Sequence, residues 1–184
     1  PCKLLTLERD TDGDGTVDYR ITFRHDKNGN ILTSETRAAD GAIIARGYYV
    51  YDDNGNKLLD DSRDAEGYLN WRITRTYDDQ GNRLTEERIF NGGRSYQYTT
   101  YTYDDYGNIL TLEINDSRYT MTYTYDENGN PLTQECQDAD GNLVFRSAST
   151  FDAKSKLLTT EYRDAQGRVI DRYAYTYDSD GNLL

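Results

Sequence analysis

The pair Tyr51-Asp52 recurs along this chain at almost fixed intervals, and no other feature limits the fold as much. Its counterparts are His25-Asp26, Tyr77-Asp78, Tyr103-Asp104, Tyr125-Asp126, Phe151-Asp152 and Tyr177-Asp178, with spacings of 26, 26, 26, 22, 26 and 26 residues. Three positions after each Asp comes Gly-Asn, from Gly29-Asn30 to Gly181-Asn182, broken only at Ser155-Lys156; a Leu follows two places later, from Leu32 to Leu184. A second turn signal lies between these motifs, at Asp40-Gly41, Glu66-Gly67, Gly92-Gly93, Asp140-Gly141 and Gln166-Gly167. Glycine at such points supplies positive φ without a steric penalty. Each unit therefore reads as strand, turn, strand, turn, with strands of about eight to ten residues. Helix is excluded, because a turn interrupts every window of helical length.

Counting units predicts about 14 strands in a single array over residues 1–184, with units starting near 25, 51, 77, 103, 125, 151 and 177. Twisted open sheets of more than about ten strands tend to curl or close. The expected fold class is all-β, an antiparallel meander of repeated hairpins rolled or spiralled about its apolar face.

Alternation assigns the two sides of each strand. In the second strands one parity reads Val17, Tyr19, Ile21, Phe23; then Leu69, Trp71, Ile73; then Tyr119, Met121, Tyr123, Tyr125; then Val169, Tyr173, Tyr175, Tyr177. The other parity carries Arg and Thr, as at Arg20, Arg72, Thr120 and Arg172. First strands add an acidic column: Glu8, Glu35, Asp61, Glu87, Glu113, Glu135 and Glu161. A turn centred between Asp40 and Gly41 places Glu35 opposite Arg46, and the same construction pairs Asp61 with Arg72, Glu135 with Arg146 and Glu161 with Arg172. A glycine bulge in the turn would displace each pair by one residue. The middle of the array is irregular, with Tyr98 and Thr120 where Arg is expected and one unit four residues short.

Composition narrows the partners. With 21 Lys plus Arg against 33 Asp plus Glu, the net charge of −12 repels phosphate backbones and anionic headgroups, so nucleic acid is not an expected partner. Membrane insertion is not expected either, since no apolar run approaches the roughly 20 residues that a spanning helix needs. The start of the chain lacks the regions of a signal peptide, so an exported protein would have lost its signal already. Cys2 and Cys136 are too far apart for a zinc cluster or a redox pair. Two unrelated thiols, a disulfide between them, and a lipid-bearing Cys2 stay open.

One candidate metal site stands out. Asp10-Thr11-Asp12-Gly13-Asp14-Gly15-Thr16-Val17-Asp18 has the pattern of a calcium loop, with carboxylates at positions 1, 3, 5 and 9 and Gly at position 6. Position 12 is Ile21 instead of a bidentate Glu, which predicts weakened affinity. An acidic turn without a metal is the competing reading. The later Asp-x-x-Gly-Asn turns are explained by turn chemistry alone, and the Thr-x-Thr pairs by the strand preference of Thr rather than by a flat ice-binding face.

Catalysis has little support. His25 occupies a column filled elsewhere by Tyr or Phe, which makes it a packing ring, and the regular acids face Arg. No phosphate loop, nucleophile elbow or zinc spacing appears, so an enzyme is not expected. Trp71, Tyr101, Tyr123 and Tyr173 are the candidate ligand-binding rings.

The sequence Tyr-Asp-x-x-Gly-Asn-x-Leu-Thr, intact at Tyr103 to Thr111 and at Tyr125 to Thr133, resembles the YD repeat of the Rhs family, and the likeness covers nearly the whole chain. The resemblance implies a bacterial secreted or surface protein whose hairpin strip spirals, associated with carbohydrate and cell-surface binding. The expected function is thus a non-enzymatic extracellular scaffold or binding surface for carbohydrate or a surface protein. The alternative is a fibre subunit that pairs with copies of itself through terminal strands.

Overall fold

The computed structural model describes residues 4–115 and 118–184, which form fourteen antiparallel strands. These are β1 (Leu4–Arg9), β2 (Tyr19–His25), β3 (Ile31–Ala38), β4 (Ile43–Tyr51), β5 (Lys57–Asp64), β6 (Leu69–Tyr77), β7 (Arg83–Phe90), β8 (Ser95–Tyr103), β9 (Ile109–Ile114), β10 (Tyr119–Tyr125), β11 (Pro131–Gln137), β12 (Leu143–Phe151), β13 (Leu157–Asp164) and β14 (Val169–Ala174). A single 3₁₀ turn, Asn91–Gly93, joins β7 to β8. Strand order in the sheet follows chain order, and the sheet is open rather than closed into a barrel. The chain divides into two compact units, Pro1–Tyr98 and Thr99–Leu184.

The repeated turn explains its own sequence. In the turn starting at Asp52, Oδ1 accepts the amides of Asn54 at 3.0 Å and Asn56 at 2.8 Å, while Oδ2 accepts Asn56 Nδ2 at 2.9 Å. Asp78, Asp104 and Asp126 repeat all three bonds. The Gly between is left-handed, with φ +88° at Gly55, and Ser155 adopts φ +62° where Gly is missing. Aspartate, glycine and asparagine are therefore fixed by the turn itself, in line with turn chemistry as the reason for them. The Asn side chain holds each Asp carboxyl below the usual carboxylate range at Asp52, Asp78, Asp104 and Asp126.

The Tyr of the motif ties one hairpin to the one before it. Tyr77 Oη donates to the Lys57 carbonyl at 3.1 Å, and Tyr177 Oη donates to the Leu157 carbonyl at 2.9 Å, each 20 residues back. Tyr125 reaches only 16 back, to the Ile109 carbonyl at 2.9 Å, because its unit is the short one. The missing residues come out of the strands, six and seven residues long in β9 and β10 against eight and nine in β5 and β6, so the spatial bond survives.

Register follows the expected ladder: Glu35 faces Arg46, Asp61 faces Arg72, Glu135 faces Arg146 and Glu161 faces Arg172. Bulges do occur, as between Thr36 and Arg37, but they lie between the charged pair and the turn and leave the pairing intact.

The ring side is less apolar than its second strands suggest, because first strands contribute polar residues to it. In the first unit one row of cross-strand neighbours reads Phe23, Ser34, Gly47, Ser62, Trp71, Phe90. The adjoining row ends in Asp60, Ile73 and Arg88. In the second unit the matching row is Tyr101, Leu112, Met121, Cys136, Phe145, and it supplies what core that unit has. Tyr101 and Cys136 are the buried hydrophobic side chains among the described residues. Burial raises the pKa of the Cys136 thiol. Pairing with Cys2 lies outside the described residues.

Candidate functional site

Charge on the ladder side is arranged more closely than a simple pair. Asp61, 2% exposed, accepts Arg63 Nε at 2.9 Å along its own strand and Arg72 Nε at 2.8 Å from the next. Arg63 continues to the Gly67 carbonyl at 3.1 Å and so fastens the turn. Glu35 takes Arg37 Nε at 2.7 Å and Arg46 Nε at 3.3 Å, and Glu161 takes Arg163 Nε at 2.7 Å with Arg172 at 4.0 Å. Arg37 and Arg163 also reach Gly41 and Gly167. Each acid thus spans two arginines, which lets Arg46 and Arg63 face each other across the ladder without net repulsion. Glu8 pairs with Arg20 at 2.7 Å. Glu135 and Arg146 share register but no ion pair among the described residues; the position two after Glu135 is Gln137, which offers no second cation.

The second arginine escaped the sequence reading, although a signal was present: Arg stands two residues after the acid at 37, 63 and 163. A further buried acid escaped it too. Glu86, 2% exposed, sits on the ring side and accepts Arg75 Nε at 2.8 Å, Arg83 Nη1 at 2.6 Å and Arg88 Nε at 2.6 Å. Burial opposes its ionisation, but the bonds from Arg75 and Arg88 and the charge of Arg83 outweigh that and hold the carboxyl below its ordinary value. The acid assigned to the column, Glu87, faces Thr74 on the ladder side and accepts its hydroxyl at 2.9 Å.

The acidic loop between β1 and β2 gathers part of the expected ligand set. Carboxylate oxygens of Asp10, Asp12 and Asp18 lie within 4.8 Å of one another. Asp14 is not among them; its Oδ1 accepts the Thr16 amide at 2.7 Å and hydroxyl at 2.6 Å, and these bonds lower its pKa. Asp10 accepts the amides of Gly13 and Gly15, and Asp18 accepts the amide and hydroxyl of Thr11, which lowers its pKa as well. Ile21, at loop position 12, faces Leu7 within the sheet.

The four candidate rings divide. Trp71 and Tyr123 are half-buried on the ring side, and Tyr173 on β14 is 46% exposed, donating to Asp171 at 2.5 Å. Tyr101 is 9% exposed and packs, leaving little ring for a ligand. Tyr123 leans along its strand, its hydroxyl 3.5 Å from Met121 Sδ and from Gln134 Nε2. The most exposed rings that the alternation rule passed over sit in turns, Tyr106 at 92% and Tyr68 at 73%. Tyr106 lines a groove between consecutive turns with Leu110, Tyr123, Tyr125 and Glu127; Lys154, Lys156, Leu158, Tyr175 and Tyr177 line the corresponding groove further along.

No family model and no curated protein matches the chain. Among solved structures, the chain is similar to TcdB2-TccC3-Cdc42, with 15% identity and a TM-score of 0.46 over 97% of this chain and 13% of that one. A TcdB2-TccC3 structure gives 14% and 0.36 over 92% and 12%. A porin-like protein from Bacteroides uniformis ATCC 8492 gives 11% and 0.39 over 94% and 96%. The chain thus spans about an eighth of the first of these and nearly all of the last. The protein is a repeated antiparallel β-meander.

Proposed function

We propose that the chain is a YD-like repeat array acting as a non-enzymatic, extracellular or cell-surface scaffold of bacterial origin, with carbohydrate or a surface protein bound on its sheet. One observation carries the reading: half-buried rings such as Trp71 and Tyr123 stand on a sheet whose neighbouring strands supply hydroxyl, amide and guanidinium groups. Sugar recognition uses that combination, with a ring for stacking and polar groups for the hydroxyls. The carboxylates of the ladder and turns already serve arginines and amides, which favours a framework role for them over acid–base work. Screening the full chain on a glycan array, together with pulldown from bacterial and host surface extracts, tests the proposal. Binding to a defined glycan or surface protein supports it, and silence in both sinks it.

Calcium at the loop belongs to the same proposal, with Asp10, Asp12 and Asp18 as its holders. Their oxygen separation suits one ion with ligands at about 2.3–2.6 Å. Melting the chain in millimolar calcium tests this: Tm rises in the wild type and not in Asp18→Asn, whereas an unchanged wild-type Tm removes the site.

A further inference from the structure

The protein is acidic overall, yet part of the ring side of its first unit is cationic. Arg75, Arg83 and Arg88 surround Glu86, and Lys57 lies nearby, 3.4 Å from Asp60 and 4.9 Å from the centre of the Tyr49 ring. Four cations against two carboxylates leave this patch net positive in a chain of net charge −12. Of the five N–H donors of its guanidinium, Arg88 turns those on Nε and Nη2 towards Glu86. Glu86 is buried behind its arginines; Arg88 is the most open of the three, its side chain 42% exposed.

What adjoins Arg88 narrows the ligand. Arg88 and Phe90 share a face of β7, and across the ladder they meet Ile73 and Trp71. Ser62 extends the Trp71 row on the next strand. Cross-strand neighbours lie about 5 Å apart and alternate residues along a strand about 7 Å apart, so a cation, two aromatic rings and a hydroxyl fall within the span of one or two pyranose rings.

We infer that this patch binds a carboxylate-bearing sugar polymer, a polyuronate, with the carboxylate on Arg88 and the sugar ring on Trp71. The inference deepens the binding-surface reading and rests on it. An arginine fork matches a carboxylate, and a flat indole matches the C–H face of a pyranose. An acidic peptide would satisfy Arg88 and leave Trp71 without a ring to stack on.

Trp71 is the sole tryptophan, so intrinsic fluorescence reads this site directly. The full chain is titrated with oligogalacturonate, with its methyl ester, which keeps the rings and removes the charge, and with polyglutamate, which keeps the charge and removes the rings. Oligogalacturonate should shift the emission saturably, with an affinity that falls as salt rises. Neither comparator should do so. Arg88→Gln should weaken binding at least about tenfold, and Arg88→Lys should recover part of the loss. The salt series on the wild type keeps the test valid should Arg88→Gln fold poorly. Equal binding of the methyl ester, or full binding by a folded Arg88→Gln, would overturn the charge assignment while leaving a neutral-sugar surface standing. Equal emission shifts with polyglutamate would overturn the sugar assignment in favour of an acidic chain. No response to oligogalacturonate would overturn the inference, whereas only silence on the glycan array and in the pulldown ends the broader reading.

Discussion

Removing Asp61 tests whether a buried ladder acid held by two arginines contributes more than an exposed one held by a single arginine. Its two oxygens accept from Arg63 Nε and Nη2 at 2.9 and 3.3 Å and from Arg72 Nε at 2.8 Å, with Arg72 Nη2 also in contact. Charge-assisted bonds each contribute about 1.5–3 kcal/mol. They share one carboxylate and do not add, and both guanidinium groups are 36–37% exposed and regain water when the acid is lost. Asp61→Ala should therefore cost about 3 kcal/mol, the lower end of what breaking a buried pair costs. Glu8, 54% exposed beside Arg20 at 49%, should cost under about 1 kcal/mol on the same change. Urea unfolding of the full chain measures both. At this length Tm should fall roughly 6–12 °C for Asp61→Ala and no more than about 3 °C for Glu8→Ala. The variant should also exchange the Gly67 amide faster, because Arg63 no longer fastens that turn. Equal losses from the two variants would refute the argument, since Asp61 is buried and holds two arginines whereas Glu8 is exposed and holds one.

Other changes probe the remaining parts of the repeat. Gly55→Ala should destabilise by about 1 kcal/mol by urea titration: open space surrounds that Cβ, but φ of +88° is strained for alanine. Tyr77→Phe should cost about 1 kcal/mol, the net worth of the bond to the Lys57 carbonyl, with protection from exchange lost between those two hairpins. For Glu86 the folded value lies below the unfolded one, so its contribution is present above the ordinary carboxylate pKa of about 4.3 and is lost as pH falls through the folded value. Acid titration should accordingly show Glu86→Gln less stable at pH 7 and less steeply pH-dependent below about pH 4.3 than the wild type.

The sheet was legible because a 26-residue period repeats every local decision. Asp52, Gly55 and Asn56 specify one turn, and once that turn is placed, a side-chain period of two settles which residues of β4 and β5 share a face. Glu35 and Arg46 could be paired by number alone for this reason, and the bulge at Arg37 did no harm because it falls beyond the pair. Face assignment was only half legible. Rings marked one side of the second strands, but first strands follow no hydrophobic alternation, so Asp60 and Glu86 arrived unannounced on the ring side. A charged residue gives no sign of its burial until its neighbours across the ladder are known.

The candidate sites obeyed the same division. The acidic loop was visible as a dense local motif, yet backbone direction set by Gly13 and Gly15 decided that Asp14 turns to Thr16 while Asp10, Asp12 and Asp18 converge. Tyr101 and Tyr123 were picked for their rings, and the row through Leu112, Met121 and Cys136 then claimed Tyr101 for packing. In the first unit the equivalent row holds Ser34, Gly47 and Ser62, so Trp71 has a small residue on one side and Phe90 on the other. Gly47 is small for a local reason, since a Cβ there would strike Ser34 Oγ and the Tyr49 hydroxyl. Trp71 stays half-buried between Ser62 and Phe90, and Arg88, which stands where the preceding repeat has Ser62, places a positive charge diagonally across from it. A departure of the array from its own pattern thus sets a ring and a cation side by side on one face of the sheet.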